Sequence, residues 1–468
     1  MISNLQPYKD YNDSGSRWLG SVPAKWEVHN LRTLITKRAE RNRPDLPLLS
    51  VAREKGVFVR SLTDADENHN VIPEDLTNYK VARAGNLVIN KMKAWQGSMG
   101  IAPCDGIVSP AYFVFDFRIA NHRFGQLMLR SKPYVAHFGQ ASDGVRVGQW
   151  DLSIPGMRQI PVLVPGPDEQ AAIVRFLDYA NGRLEQTIRA KRKVIALLIE
   201  QKQAIIHRAV TRGLDPKIPL KPSGIPWLGD IPKHWEVRRI KQTASILRGK
   251  FTHRPRNDPS LYDGPYPFIQ TGAVARASKF ITSYKQTLNK KGLAVSTLFP
   301  SGTLCMTIAA NIGDVAILNF EACFPDSIVG LIPHEEMERD YFYFVLRCMK
   351  QEFLLEAPVN TQGNLNVNRI GAMTVPRPSN DEQIQIIRYI ENETKSSETA
   401  IERTQREIQL LREYRTRLVA DVVTGKLDVR PAAAKLPAVA EPESLAPETI
   451  AEEVDEIENE IETEGAEA

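Results

Sequence analysis

GSRWLGSVPAKWEV, residues 15–28, is written a second time as GIPWLGDIPKHWEV at residues 224–237, with eight of fourteen positions identical. Unrelated segments of this length would share about one. The repeated residues include Trp18/Trp227, Gly20/Gly229, Pro23/Pro232 and Trp26/Trp235, so four of the chain's six tryptophans fall in this box. Outward from each box the repetition continues. DEQAAIVR at 168–175 matches DEQIQIIR at 381–388, a shift of 213. The same shift carries Val210, Thr211, Leu214 and Asp215 onto Val423, Thr424, Leu427 and Asp428. A period this long is no solenoid. The chain is a duplicated two-part module, and a pseudo-twofold arrangement is its natural outcome.

Asp168 and Asp381 open helical runs with carboxylates in the first turn, where the helix dipole favours them. Gly182 is expected to break the first run and Ser396–Ser397 to weaken the second. Beyond those points Leu184, Ile188, Ile195, Leu198 and Ile205 are spaced by fours, threes and sevens. Ile401, Ile408, Leu411 and Leu418 repeat four of these positions in register. Two matching heptad seams predict a mutual coiled coil. Gly213 and Gly425 are expected near the helix ends. The intervening segments mix strand-length apolar runs (NLVINKM, YFVFDF, TLCMTIAA, SIVGLIP) with helical spacings, so each predicts an α+β domain. The expected divisions are 1–166, a first α+β domain; 167–216, a first long-helix region; 217–378, a second α+β domain; 379–430, a second long-helix region; and 431–468, an acidic tail expected to be disordered.

Length alone allows two to four domains across 468 residues. The net charge of +4 conceals an asymmetry. Residues 431–468 hold twelve acidic side chains and Lys435, and the remaining 430 residues carry a surplus of +15. That surplus favours a polyanionic partner. No apolar run approaches the ~20 residues of a membrane span, and the N-terminus lacks the order of a secretory signal. Cys104, Cys305, Cys323 and Cys348 form no CxxC pair. This argues against a disulfide scaffold or zinc ribbon and suits a cytoplasmic protein.

The search for chemistry returns no catalytic residues, no metal site and no cofactor motif. There is no HExxH and no GxxxxGK[ST]; Ser109-Pro-Ala-Tyr112 lacks the second proline of an amino-methyltransferase loop. What the chain offers instead is cations interleaved with aromatics, amides and glycines. The candidate DNA-binding residues are Arg53, Lys55, Lys91, Lys93, Trp95 and Arg146 in the first variable segment. Those in the second are Arg248, Lys250, Arg254, Arg256, Gln270, Asn311, Gln362 and Asn364. Lysine and arginine neutralise phosphates without reading sequence; amides pair bidentately with adenine and arginine with guanine.

The paired W-L-G-x-(I/V)-P-x-x-W-E-V boxes, the paired DEQ helix starts and the V-T-x-x-L-D ends resemble the specificity subunits of type I restriction-modification enzymes. Asn90-Lys-Met-Lys-Ala-Trp-Gln-Gly97 and Ile312-Gly-Asp also resemble loops of that family's target-recognition domains, and the match spans residues 15–430. The resemblance implies a non-catalytic reader of double-stranded DNA. It implies two target-recognition domains separated by two long helices packed as an antiparallel coiled coil, each domain reading one half of a split target. Two methyltransferase subunits would dock on this frame and methylate adenine N6 with S-adenosylmethionine, and two ATP-driven restriction/translocase subunits can join. Two readings from other classes compete. One is a methyltransferase or nuclease with an unrecognised site; the other is a coiled-coil scaffold with two protein-binding modules.

Overall fold

The computed structural model describes residues 5–60, 73, 75–146, 149–309, 311–357 and 365–437. Lys193–Gln405 form one compact unit, and the described residues on either side of that span form the other. Each unit therefore combines one variable segment with part of both long helices.

In the first unit the central antiparallel sheet has the spatial order Ile35–Arg38, Tyr112–Phe117, Leu87–Asn90, Met99–Ile101. In the second unit the order Ala244–Arg248, Ile328–Pro333, Leu304–Thr307, Val315–Leu318 repeats it. Phe280–Ile281 adds a parallel edge to the second sheet. Leu87–Asn90, Leu304–Thr307, Val315–Leu318 and most of Ile328–Pro333 read as continuous apolar runs because both of their faces are covered, whereas the edge strands Ile35–Arg38 and Ala244–Arg248 are largely exposed. Alternation then assigns the faces. Leu87 and Ile89 enter the core shared with the helices, while Val88 enters a separate cluster with Leu49, Val51 and Val57. Leu304 and Met306 do the same in the second unit, with Cys305 facing the other way. One face of each sheet rests on a common scaffold; the other carries an insert.

The scaffold side is the same in both units. A helix pair follows the sheet, His122–Leu129 with Lys132–Gln140 and Arg339–Cys348 with Lys350–Glu356. A strand, Pro161–Val164 or Thr374–Arg377, then returns to pair with the strand that starts at the end of the tryptophan box, Glu27–Asn30 or Glu236–Arg239. The inserts differ. The first holds a hairpin of Leu49–Ala52 with Gly56–Val59. The second is a four-stranded sheet ordered Gln286–Leu288, Tyr262–Phe268, Ala322–Cys323, Leu298–Phe299.

The repeated motifs are the joints of this scaffold. Gln170 and Gln383, the glutamines of the two DEQ motifs, are buried. Gln170 donates to the Pro165 carbonyl at 2.8 Å and accepts from Asn121 N at 2.9 Å. Gln383 donates to Pro378 O and Glu336 O at 3.1 and 3.0 Å and accepts from Glu338 N at 2.8 Å. In both copies the amide ties the helix start to the helix pair after the sheet. Trp26 and Trp235 are buried beside the glycines that end a long helix: Gly425 lies against Pro23 and Trp26, Gly213 against Pro232 and Trp235. Both glycines have positive φ, +76° and +70°, as a helix-terminating residue requires. In the first unit Tyr11 Oη donates to Gly425 O at 3.1 Å and Asp428 N to Gln6 O at 2.8 Å.

The long helices are Pro167–Arg212 and Asn380–Val423. The break expected at Gly182 does not occur. An interior glycine costs only about 1 kcal/mol. Burial of Ile173, Phe176, Leu177 and Ala180 before it and of Leu184 and Ile188 after it outweighs that cost. Ser396–Ser397 does not interrupt the second helix either. Within the first unit Glu185 pairs with Arg415 at 3.0 Å and Lys191 with Glu407 at 2.6 Å. Within the second, Lys202 pairs with Glu398, and Gly213 lies against Glu382. The first number rises as the second falls, so the pairing is antiparallel in each unit. Leu184, Ile188, Ile195, Ile408 and Leu418 of the seam are buried; Leu198, Ile205, Ile401 and Leu411 are half-buried. Near the end of the first helix the inward side chain is Ile206 rather than Ile205, because a straight helix drifts from a 3.5-residue repeat. Beyond the second helix, Arg430–Ala434 forms a further helical turn. Arg175 donates to the carbonyls of Leu436 and Pro437 at 2.7 and 3.0 Å, so ordered chain runs past the expected start of the tail. Residues 438–468 lie outside the described residues.

Candidate nucleic-acid interface

In the first unit the candidates occupy two loops. Arg53 and Lys55 sit on the turn between Leu49–Ala52 and Gly56–Val59. Arg53 reaches Glu54 at 3.4 Å with its side chain 68% exposed, and Lys55 lies over the Phe58 ring at 5.3 Å. Arg130 holds the turn from beneath, donating to Arg53 O and Glu54 O at 2.5 and 2.7 Å. The second loop is 90–97. Asn90 Oδ1 accepts from Met92 N, Trp95 Nε1 donates to Met92 O, and Gly97 closes the loop at φ +89°. The hairpin of Ser142–Arg146 and Gln149–Leu152 docks on it: Leu152 N donates to Lys91 O at 2.9 Å. Lys91 pairs with Asp151 at 2.9 Å, and Trp95 meets Trp150 at 5.0 Å between ring centres. Lys93 and Met92 are exposed. Trp95 and Lys91 thus shape the loop that presents Lys93. Arg146 lies on the docked hairpin, with its side chain outside the described part.

In the second unit Arg248 ends the strand Ala244–Arg248, and Lys250, Arg254 and Arg256 lie on the loop that follows it. Arg248 Nε donates to Asp326 O at 2.7 Å and Arg256 pairs with the Asp326 carboxylate at 2.6 Å. Arg254 donates to the carbonyls of Phe251 and His253, both at 2.8 Å. His253 meets Asp258 at 3.0 Å, and the Ser260 N–H foremost holds that carboxyl below the usual range. Three guanidinium groups therefore brace the loop while remaining exposed themselves, and Lys250 is exposed beside them. Gln270 donates to Gln286 Oε1 at 3.0 Å. Gln286 was not among the sequence candidates: a lone amide in a three-residue strand gives no signal. Asn311 is exposed in the loop between Leu304–Thr307 and Val315–Leu318, where its carbonyl accepts from Thr307 Oγ1. This loop holds the same topological place as loop 90–97. Leu365 N donates to Ile308 O at 2.9 Å, as Leu152 N does to Lys91 O. Gln362 and Asn364 lie outside the described residues.

Burial raises the thiol pKa of Cys305 and pushes that of Cys348 up to about 12, so neither supplies a thiolate nucleophile at neutral pH. Among the described residues, no group of three or more His, Cys, Asp or Glu side chains is placed to hold a metal, and no helix is long and apolar enough to cross a membrane.

The described residues thus form a doubled scaffold bearing two unlike inserts. Residues 232–412 match the family model of the type I restriction modification DNA specificity domain. A protein assigned as the MjaX type I restriction enzyme specificity subunit of Methanocaldococcus jannaschii is 20% identical over 456 residues, covering 92% of this chain and all of that one. The MjaIX specificity subunit of the same organism is 26% identical over 183 residues, covering 36% of this chain and 42% of its own. A chain solved in work on the complex assembly and conformational transition of the type I R-M system shares the fold. Its TM-score is 0.63 at 15% identity, over 87% of this chain and 99% of that chain. The resemblance to type I specificity subunits drawn from the paired motifs holds over nearly the whole length.

Proposed function

We propose that this chain is the non-catalytic, DNA-reading subunit of a type I restriction-modification complex. It recognises a split duplex target, one half per unit, and the two halves differ because the inserts differ. Two methyltransferase subunits dock on the frame and methylate adenine N6; two ATP-driven restriction subunits join where the system has them. The observation that carries this reading is the pair of unlike inserts on the same face of a repeated sheet, with exposed cations on the associated loops. Two sequences can thus be read by one scaffold without altering the scaffold.

The test is DNA binding by the chain together with its methyltransferase subunit, paired with mapping of modified adenines in the host genome. Affinity should fall by roughly 10³ or more between 50 and 200 mM salt if six or more phosphates are neutralised. The modified adenines should lie in a motif with two defined halves and an unread gap. A flat salt response, with no such motif, favours the protein-binding scaffold instead.

A further inference from the structure

The amide pair Gln270–Gln286 carries an inference that rests on the DNA-reading function and deepens it. Gln286 lies on Gln286–Leu288, an edge strand of the second insert's sheet, opposite Phe268 in register. Gln270 follows that partner strand and precedes the helix Thr271–Arg276. The Gln270 side chain makes no capping bond to that helix. It turns instead to Gln286 Oε1, 3.0 Å away. Both residues are exposed, so this bond is not forced by burial.

Its chemical effect is to fix an amide that would otherwise rotate freely. With one lone pair of Gln286 Oε1 engaged by Gln270, the Gln286 Nε2 donors and the second lone pair remain available on a defined side. Adenine presents the complementary pattern in the major groove, an acceptor at N7 beside a donor at N6. The groove also admits a two-stranded ribbon such as this edge. Cations that can meet phosphates flank it within a few residues: Lys285, Lys290 and Lys291 are all exposed.

We propose that Gln286 reads one adenine of the half-site recognised by the second unit, and that Gln270 is the positioning residue that sets its amide. Glutamate at position 270 is the informative change. It cannot donate to Gln286 Oε1, and instead accepts from Nε2, which turns the amide over.

The experiment selects binders from a duplex library with randomised positions, using the full chain with its methyltransferase subunits. For Gln286→Ala and Gln270→Glu we expect preference for adenine at one position of one half-site to drop about tenfold. The other half-site should be unchanged, and the salt dependence of binding should stay the same. Gln270→Lys, which keeps a donor, should retain the preference. If wild-type and Gln286→Ala complexes select identical motifs, the assignment is overturned while the DNA-reading function stands. If the wild-type complex selects no motif at all, that function has itself failed. Loss of preference at several positions in both halves would point to misfolding and overturn the role given to Gln286.

Discussion

Lys91 and Lys93 stand two residues apart on one loop but hold different surroundings. Lys91 is paired with Asp151, whereas Lys93 is exposed at the loop's crest. Lys93→Ala should weaken binding alike for all sequences and lower the salt slope by about 1. Lys91→Ala should also loosen the docked hairpin, so its loss of affinity should be accompanied by faster amide exchange across 142–152. Titrations at several salt concentrations check the first, and hydrogen exchange the second. Gln383 presents the opposite case, a buried side chain with a purely structural task. Gln383→Ala leaves the Glu338 N–H and the Pro378 and Glu336 carbonyls without their partner. The expected cost is about 3 kcal/mol, since several buried groups go unsatisfied at once. It would be read as a lower denaturant midpoint with little change in slope. Gln383→Glu should not rescue it, because a carboxylate cannot donate to the two carbonyls.

At the scale of elements, the helix-ending glycines make a graded prediction. Both have positive φ, so alanine costs about 1 kcal/mol at either from backbone strain. Their surroundings separate them. A Cβ on Gly425 would stand 2.4 Å from Pro23 Cδ, whereas one on Gly213 would meet nothing nearer than 3.3 Å. Gly425→Ala should therefore destabilise the chain more than Gly213→Ala, by about 1–3 kcal/mol for the overpacking. Thermal or chemical denaturation of the two variants compares them directly. The same contacts explain what was readable in advance. In both copies the tryptophan box packs on a terminal glycine and the DEQ glutamine ties a helix start to the helix pair, so the same packing problem recurs and the residues recur with it. The inserts solve no repeated problem. Their strands run two to seven residues, and partners such as Arg256–Asp326 and Gln270–Gln286 are set by register rather than by spacing along the chain. The candidate cations were legible, but which of them also brace a loop through carbonyls or carboxylates was not. Continuity through Gly182 was missed for a related reason: helix propensity is a weak prior against burial on both sides of a single glycine.

For the whole molecule, the proposed role of the two long helices is to set the unread gap between half-sites. The helices have 46 and 44 residues, about 69 and 66 Å at 1.5 Å per residue. Within each unit, segments of the two helices run antiparallel, with Glu185–Arg415 and Lys191–Glu407 in one and Lys202–Glu398 in the other. Lengthening a single helix would slide one partner past the other inside a unit and break these pairs together with the seam. Lengthening both by one heptad, after Arg192 in the first and after Gln405 in the second, would keep every pairing within each unit. Seven residues preserve the 3.5-residue seam and add about 10.5 Å, near three base pairs at ~3.4 Å each. Because seven residues are close to two full turns of 3.6, the added rotation is only about 20°. Cells carrying the matched insertions should show modified adenines in the same two half-sites, with the gap between them increased by about three base pairs. The single insertion should abolish modification and lower the unfolding temperature. Were the matched variant to keep the original gap, or to acquire new half-sites, the helices would not be the spacer, because the recognition inserts are untouched by the change.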